Sequence, residues 1–424
     1  MSVAPESLTV AALDEAFVRA QFPAFSEPAL EGFAHLENAG GSWACAPAIE
    51  RLDRFYRETK LQPYYPSRPS TLGGEAMSGA RARWAAWLGV GEDELHFGPS
   101  TSQNTYVLAN ALRGWLRPGD EVVVTNQDHE TNVGVFARLA EAGFTVREWE
   151  VDPATAQLTD AGLDAVLTER TKVVAFTHCS NIVGAMNPAA RWVERIRAAG
   201  AMSIVDGVSY APHGTPWVPD LDADVYLFSL YKVYGPHLGV MTLRQDWNER
   251  LPNQGHFFNA GNPRARFTPA GPDHAQIAAA AGVIDYFEAL DRHHYPGCYA
   301  DDADASGAPW RVQALLRERE RQLVAPLLDF VAAHPRTRLI GSADPDERAP
   351  TVAFTVRGAR PRDLAEALAE RDIGVGWGHF YAWRLIEALD IDVEEGVLRC
   401  SLVHYNTARE VAHLVEALDR LLAD

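Results

Sequence analysis

The sequence predicts an α/β fold built on a mixed, mostly parallel sheet. Two observations carry this. Helical and strand-like patterns alternate through most of the chain, and the strand-like segments are short, nearly continuous apolar runs. A strand wetted on one face alternates apolar with polar residues. A continuous run signals burial on both faces, as when helices cover both sides of a parallel sheet.

In chain order, EAMSGARARWAAWLG at 75–89 reads as a helix closed by Gly89, followed by the strand ELHFG at 94–98. Ser100, Thr101 and Ser102 then cap a helix whose apolar stripe is Val107, Leu108, Ala111, Leu112 and Trp115, with Gly114 and Pro118 marking its end. Next come EVVVT (121–125), a helix from about 132 to 142, and TVREW (145–149). A helix near 159–169, KVVAFT (172–177), a helix at 189–199 and MSIVD (202–206) continue the alternation. VYLFS (225–229) and GVMTL (239–243) complete a large domain over residues 35–290. The stretch 291–309, DRHHYPGCYADDADASGAP, breaks the periodicity and reads as an exposed connection. Beyond it, a helix (310–333), TVAFTV (351–356), a helix (361–371), VLRCSLV (397–403) and a helix (407–422) predict a smaller α+β domain over 310–424. Residues 1–34 form an N-terminal segment expected to pack with that domain. No internal repeat is visible.

The 424 residues are enough for two or three domains, and 47% hydrophobic with 22% charged residues is ordinary for a globular protein. A formal charge of −19 argues against a general nucleic-acid surface. An anionic small ligand needs only one or two positive groups and stays open. No run approaches the ~20 apolar residues that cross a bilayer. The N-terminal stretch carries acids and lacks a basic start followed by an apolar run, so no signal peptide is expected. Cys45, Cys179, Cys298 and Cys400 lie far apart with no CxxC pair, which predicts neither a disulfide framework nor a metal site. These features together predict a soluble, cytoplasmic protein with no membrane or nucleic-acid partner.

Four features fall at the ends of predicted strands, where open α/β sheets place their ligands. Free backbone N–H groups at the helix following Ser100, Thr101 and Ser102 favour a phosphate, though the same triplet also serves as a plain N-cap. Asp206 ends the buried run MSIVD, where a carboxylate is costly unless a cation, a cap or a salt bridge meets it. Lys232, in FSLYKVYG, sits among Phe228, Tyr231, Val233 and Tyr234. Its amine is either desolvated and reactive or merely snorkelling. His129, in NQDHETN after EVVVT, can stack on an aromatic ring, shuttle protons, or be an ordinary loop histidine.

With these residues in place, the chain from about Leu36 onward resembles the class V aminotransferase superfamily of fold type I pyridoxal phosphate enzymes. Within it, the likeness is to the cysteine desulfurase/selenocysteine lyase branch. The stretches that carry the resemblance are HLENAGGS (35–42), FGPSTSQNTYVLAN (97–110), NQDHETN (126–132), HCSNIVGAMNP (178–188), VDGVSYAPH (205–213), FSLYKVYGP (228–236) and RCSLVHYNT (399–407). The resemblance implies a seven-stranded large-domain sheet, pyridoxal 5'-phosphate as cofactor, an amino acid substrate and a homodimer with sites at the subunit interface. It implies that Lys232 forms the Schiff base, Asp206 pairs with the pyridinium nitrogen and His129 stacks on the ring. Thr101, Ser102 and Ser229 match phosphate-binding positions, Asn181 an asparagine near cofactor and substrate, and Arg399 the arginine for the substrate α-carboxylate.

Several positions depart from the branch. Ser209 replaces a glutamine near the cofactor phenol oxygen, Tyr231 replaces a histidine expected just before the lysine, and Gly271 stands where the partner subunit would supply a threonine. In GVGWGHFYAWRL (374–385), Tyr381 stands at about the position of the sulfur-accepting cysteine. His379 and Tyr381 are therefore candidate substrate contacts, with Trp377 and Trp383 beside them; the same aromatic loop could equally be packing between domains. The expected activity is a lyase reaction by β-elimination, of the carbon–sulfur type, without a catalytic persulfide. Transamination and epimerisation remain open, as does a catalytically retired binding or scaffold homologue. No GxxxxGK[ST] or post-strand GxGxxG motif supports a nucleotide-binding alternative.

Overall fold

A computed structural model describes residues 9–299 and 307–423. A two-residue strand, β1 (Ala34–His35), precedes the large sheet. The sheet's seven strands are β2 (Leu95–Gly98), β3 (Glu121–Thr125), β4 (Thr145–Trp149), β5 (Thr171–Thr177), β6 (Met202–Asp206), β7 (Val225–Ser229) and β8 (Gly239–Leu243). Five short strands follow: β9 (Thr337–Leu339), β10 (Thr351–Val356), β11 (Ile373–Gly374), β12 (Gly376–Gly378) and β13 (Val397–Ser401).

The large sheet has the order β2-β8-β7-β6-β5-β3-β4. Its five central and outer strands β4, β3, β5, β6 and β7 run parallel, and β8 and β2 close one edge antiparallel. Neighbouring residues on one strand enter different cores, as the pleat requires. Val123, Phe176, Val205 and Phe228 join one buried cluster. Val124, Ala175, Ile204 and Leu227 join another, on the opposite face. This double burial explains why the runs carry no polar alternation. Thr101–Trp115 and Glu130–Ala137 contribute to the second cluster, while Arg68–Leu88 and His274–His294 supply much of the first.

The strand expectations hold to within a residue or two, but several helices differ. The helix expected at 75–89 begins at Arg68. Gly73 and Gly74 lie within it, where they let Thr59 and the Tyr64 ring approach its backbone. The helix expected over 132–142 starts at Glu130 and tightens to a 3₁₀ turn after Ala137. The helix ending at His294 intrudes into the expected connection, of which residues 300–306 lie outside the described residues.

The second sheet is antiparallel, in the order β12-β13-β10-β9. Helices Ala308–Ala333, Pro361–Ala369 and Ala408–Leu422 cover it through Leu327, Leu364, Leu368, Val411 and Leu414. The N-terminal segment ties both parts together. Arg19 reaches Glu410 at 3.0 Å and the Tyr405 carbonyl at 3.1 Å, Phe17 stacks on His293, and β1 pairs in parallel with β11. Among the described residues, no helix is long and apolar enough to cross a membrane.

Candidate active site

The strand order reverses at β3, whose chain successor β4 lies on one side and whose next successor β5 lies on the other. Open α/β sheets form a crevice at the carboxyl ends of such strands. Here a cavity of about 520 Å³ occupies it. Thr101, Ser102, His129, Asn181, Asp206, Ser209, Ser229, Tyr231, Lys232 and Tyr381, ten of the sequence-selected residues, line it. Two others do not: Arg399, 2% exposed, is joined to the cavity through the carbonyl of Asn181, to which it donates at 2.9 Å, and His379 is held in its own loop by accepting the Tyr381 N–H at Nδ1, 3.1 Å.

One end of the cavity is built for an anion. Ser100 caps the Thr101–Trp115 helix by accepting the Gln103 N–H, while the Thr101 and Ser102 N–H groups have no partner among the described residues. The hydroxyls of Thr101 and Ser229 meet at 2.7 Å, and those of Ser102 and Thr131 at 3.0 Å. Gly239 permits this arrangement: a Cβ there would lie 2.3 Å from the Ser100 carbonyl carbon and 2.5 Å from the Thr101 nitrogen. Tyr231 lines the cavity with its ring stacked on His237 at 4.8 Å.

The other groups form a buried acid–base set. Asp206 ends β6, and its carboxylate accepts the Val208 N–H at Oδ1, 2.8 Å, the one hydrogen bond that carboxylate makes among the described residues. Burial raises its pKa to about 6, opposed by that N–H and by Lys232. Lys232 is 7% exposed, and its amine forms no hydrogen bond or ion pair among the described residues. Burial first, then the positive charge of Arg399, lower its pKa to about 8. His129 caps the following helix by accepting the Thr131 N–H at Nδ1, 3.0 Å, so the neutral ring carries its proton on Nε2. Burial, then Lys232 and Arg399, push its pKa down to about 3 and keep it neutral. Asn181 donates from Nδ2 to the Phe380 carbonyl at 2.9 Å, and its buried Oδ1 has no partner among the described residues.

This set fits pyridoxal phosphate. An unpaired amine of lowered pKa can form a Schiff base, a buried carboxylate with a spare oxygen suits a protonated ring nitrogen, and the helix N-terminus with its hydroxyls suits a phosphate. No group of three or more His, Cys, Asp or Glu among the described residues could hold a metal ion.

Fold and site together define a fold type I pyridoxal-phosphate-dependent enzyme. The aminotransferase class-V family profile matches residues 34–287 and 311–414, and the chain belongs to that family. It is 33% identical to the aminotransferase-like protein FGM3 of Gibberella zeae over 416 residues, covering 96% of this chain and 98% of that one. It is 28% identical to a cysteine desulfurase of Pectobacterium carotovorum over 422 residues, covering 95% and 97%. Among solved structures, the fold matches the cysteine desulfurase CsdA of Escherichia coli with a TM-score of 0.80, at 24% identity over 97% of this chain and 99% of that one. A cysteine desulfurase of Thermococcus onnurineus gives 0.83, at 22% identity over 99% and 100%.

Sequence reasoning missed Glu37, Asp128, His237 and Phe380. Asp128 sits beneath the site, accepting from Asn132 Nδ2 at 2.7 Å and from the Thr125 hydroxyl, and burial raises its pKa to about 7. Its neighbour His129 drew the attention within the same NQDHETN stretch. Glu37 and Phe380 both close on Arg399 from distant parts of the chain, which no local pattern reveals.

Proposed function

We propose that Lys232 carries the cofactor and that the protein is a lyase, eliminating a leaving group from the β-carbon of an amino acid without a catalytic persulfide. Bound pyridoxal phosphate supplies an electron sink for charge developing at Cα. Thr101, Ser102 and Ser229 hold the phosphate, with Tyr231 beside them, while Ser209 and Asn181 orient the ring's polar edge. Asp206 keeps a proton on the ring nitrogen, and neutral His129 covers the ring face. The Lys232 amine, with a pKa of about 8, is suited to take the α-proton near neutral pH. Arg399 receives the α-carboxylate through its guanidinium.

One observation carries the proposal: the loop at residues 378–382 presents Tyr381 to the cavity, its ring 5.1 Å from that of His129. A hydroxyl there can hydrogen-bond a leaving group, with His379 adjacent, but cannot hold transferred sulfur as a thiolate can. Cys179 also lines the cavity, yet its thiol donates to the Gly184 carbonyl and burial raises its pKa to about 12. Cys45 and Cys400 are buried with thiols shifted upward for the same reason, and Cys298 lies on the Pro296–Tyr299 turn. The name of the Gibberella zeae relative favours transamination as the second reading.

The two are separated by incubating holoenzyme with amino acids that bear or lack a β-leaving group. Elimination releases the leaving group, ammonia and a keto acid with no amino acceptor. Product that forms only when a keto acid acceptor is supplied, with the leaving group retained, overturns the lyase assignment. The division into a cofactor-binding part (35–290) and a smaller part (310–424) belongs to the same proposal, supported by the two separate sheets. So does a homodimer, supported by aromatic residues left in solvent: Phe257 is 88% exposed, Phe258 69% and Tyr64 65%. A monomer at micromolar concentration in sedimentation would remove the dimer.

A further inference from the structure

The Arg399 guanidinium is held along its edges and over one face. Glu37 takes one edge: its Oε2 accepts from Nε at 3.3 Å and its Oε1 accepts from Nη2. Nη1 donates to the Asn181 carbonyl at 2.9 Å, and the Phe380 ring covers the guanidinium face with 3.6 Å to its centroid. Phe380 and Tyr381 hold that cover in the left-handed backbone region, with φ of 47° and 59°, and two carbonyl contacts pin it. The Phe380 carbonyl accepts from Asn181, and the Tyr381 carbonyl accepts from the Glu130 N–H at 2.7 Å.

The two ends of the ion pair differ in freedom. The Arg399 side chain is 3% exposed and the Glu37 side chain 22%. Glycines flank the Glu37 carboxylate: a Cβ at Gly376 would lie 2.8 Å from its Cδ and 2.7 Å from the Phe380 ring, and one at Gly40 would lie 3.0 Å from Oε1. The Ser401 hydroxyl also donates to Oε2 at 3.3 Å. Arg399 is thus the more enclosed partner, while Glu37, with glycines on two sides, is the one that reaches solvent.

Charge counting gives the consequence. One guanidinium already carries one carboxylate, and a second from a substrate would place two anions on one buried cation. Like charges that close disfavour double ionisation, so one carboxylate must leave or lose its charge. We infer that Glu37 is a displaceable counter-ion, which occupies Arg399 in the resting protein and is exchanged for the α-carboxylate of an incoming amino acid. Glu37 thereby spares the protein an uncompensated buried arginine and sets how strongly a carboxylate is selected. The inference rests on the proposal that Arg399 receives that carboxylate.

The test uses holoenzyme and two probes that differ only in the carboxylate, L-alanine and L-alaninamide, with dissociation constants measured by calorimetry. Glu37→Gln keeps the side-chain size and removes the competing charge. It is expected to increase the preference for L-alanine over L-alaninamide by about tenfold or more. Glu37→Asp, which retains the charge but withdraws it by one methylene, should move the ratio in the same direction by less and serves if the glutamine variant misfolds. Arg399→Gln separates the two levels. If it leaves the wild-type preference intact, Arg399 is not the carboxylate site and the exchange fails with it. If Arg399→Gln abolishes the preference while the Glu37 variants leave it unchanged or lower it, Glu37 is a fixed support for Arg399 and the exchange alone is overturned.

Discussion

Adding a single methyl group at Gly239 tests whether the cofactor phosphate sits where the fold places an anion site. Gly239 starts β8 and pairs with Gly98 of β2, directly under the first residues of the Thr101–Trp115 helix. A Cβ would lie 2.3 Å from the Ser100 carbonyl carbon and 2.5 Å from the Thr101 nitrogen, whereas non-bonded carbons rest at about 3.5–4.0 Å. The obstructing atoms are backbone, so the helix start must move by about 1 Å. Overpacking of this kind costs about 1–3 kcal/mol of stability. The displaced N–H groups also misalign with the phosphate, and losing one charge-assisted hydrogen bond is worth about 1.5–3 kcal/mol. Gly239→Ala should therefore bind pyridoxal phosphate roughly tenfold to a hundredfold more weakly, by titration of the apoprotein, and melt at a lower temperature. Gly79→Ala is the control: it lies in a helix with nothing within 4 Å of the new methyl, and should be neutral or slightly stabilising. A Gly239→Ala protein with wild-type cofactor affinity would refute the placement of the phosphate at this helix.

Borohydride reduction of the holoenzyme should fix the cofactor to the peptide containing Lys232, and Lys232→Ala should abolish the adduct. In the apoprotein, attachment should accelerate as pH rises through about 8, not near the ordinary lysine value of 10.5, because burial disfavours the ammonium form. The same depressed pKa means that the folded state binds fewer protons than the unfolded state between pH 8 and 10.5. This group therefore penalises stability below pH 8, and the penalty fades as pH rises toward 10.5, measurable as a rise in apoprotein stability once other titrations are subtracted with Lys232→Met. Asp206→Asn should fold and bind cofactor but turn over slower by orders of magnitude, since a neutral ring is a poorer electron sink. Turnover within a few-fold of wild type would contradict the pairing.

The large sheet was legible because its strands are buried on both faces, so that EVVVT, MSIVD and VYLFS carry their burial in five consecutive residues. Helix His274–His294 was not. Its middle, Ala278–Gly282, is buried all round and shows no amphipathic stripe, because small residues admit the neighbouring backbone: a Cβ at Gly282 would collide with Ala48. The site was legible where residues end strands, as Asp206 and Ser229 do, or cap helices, as His129 does. Arg399 could be picked out by type and motif, but its covering by Glu37 and Phe380 depends on contacts between β13, the segment after β1 and the 378–382 loop. Such long-range pairing leaves no periodic trace.

The claim most exposed to experiment is that Tyr381, and no cysteine, meets the leaving group. Mass spectrometry of the wild-type protein, trapped during turnover of a substrate with a sulfur leaving group, tests it directly when run beside a folded variant lacking Cys45, Cys179, Cys298 and Cys400. The expected result is free sulfide or thiol in solution with no protein-bound persulfide, and a chemical step largely retained in the cysteine-free variant. A persulfide on any one cysteine, with turnover abolished when that cysteine alone is replaced in a folded protein, would contradict it.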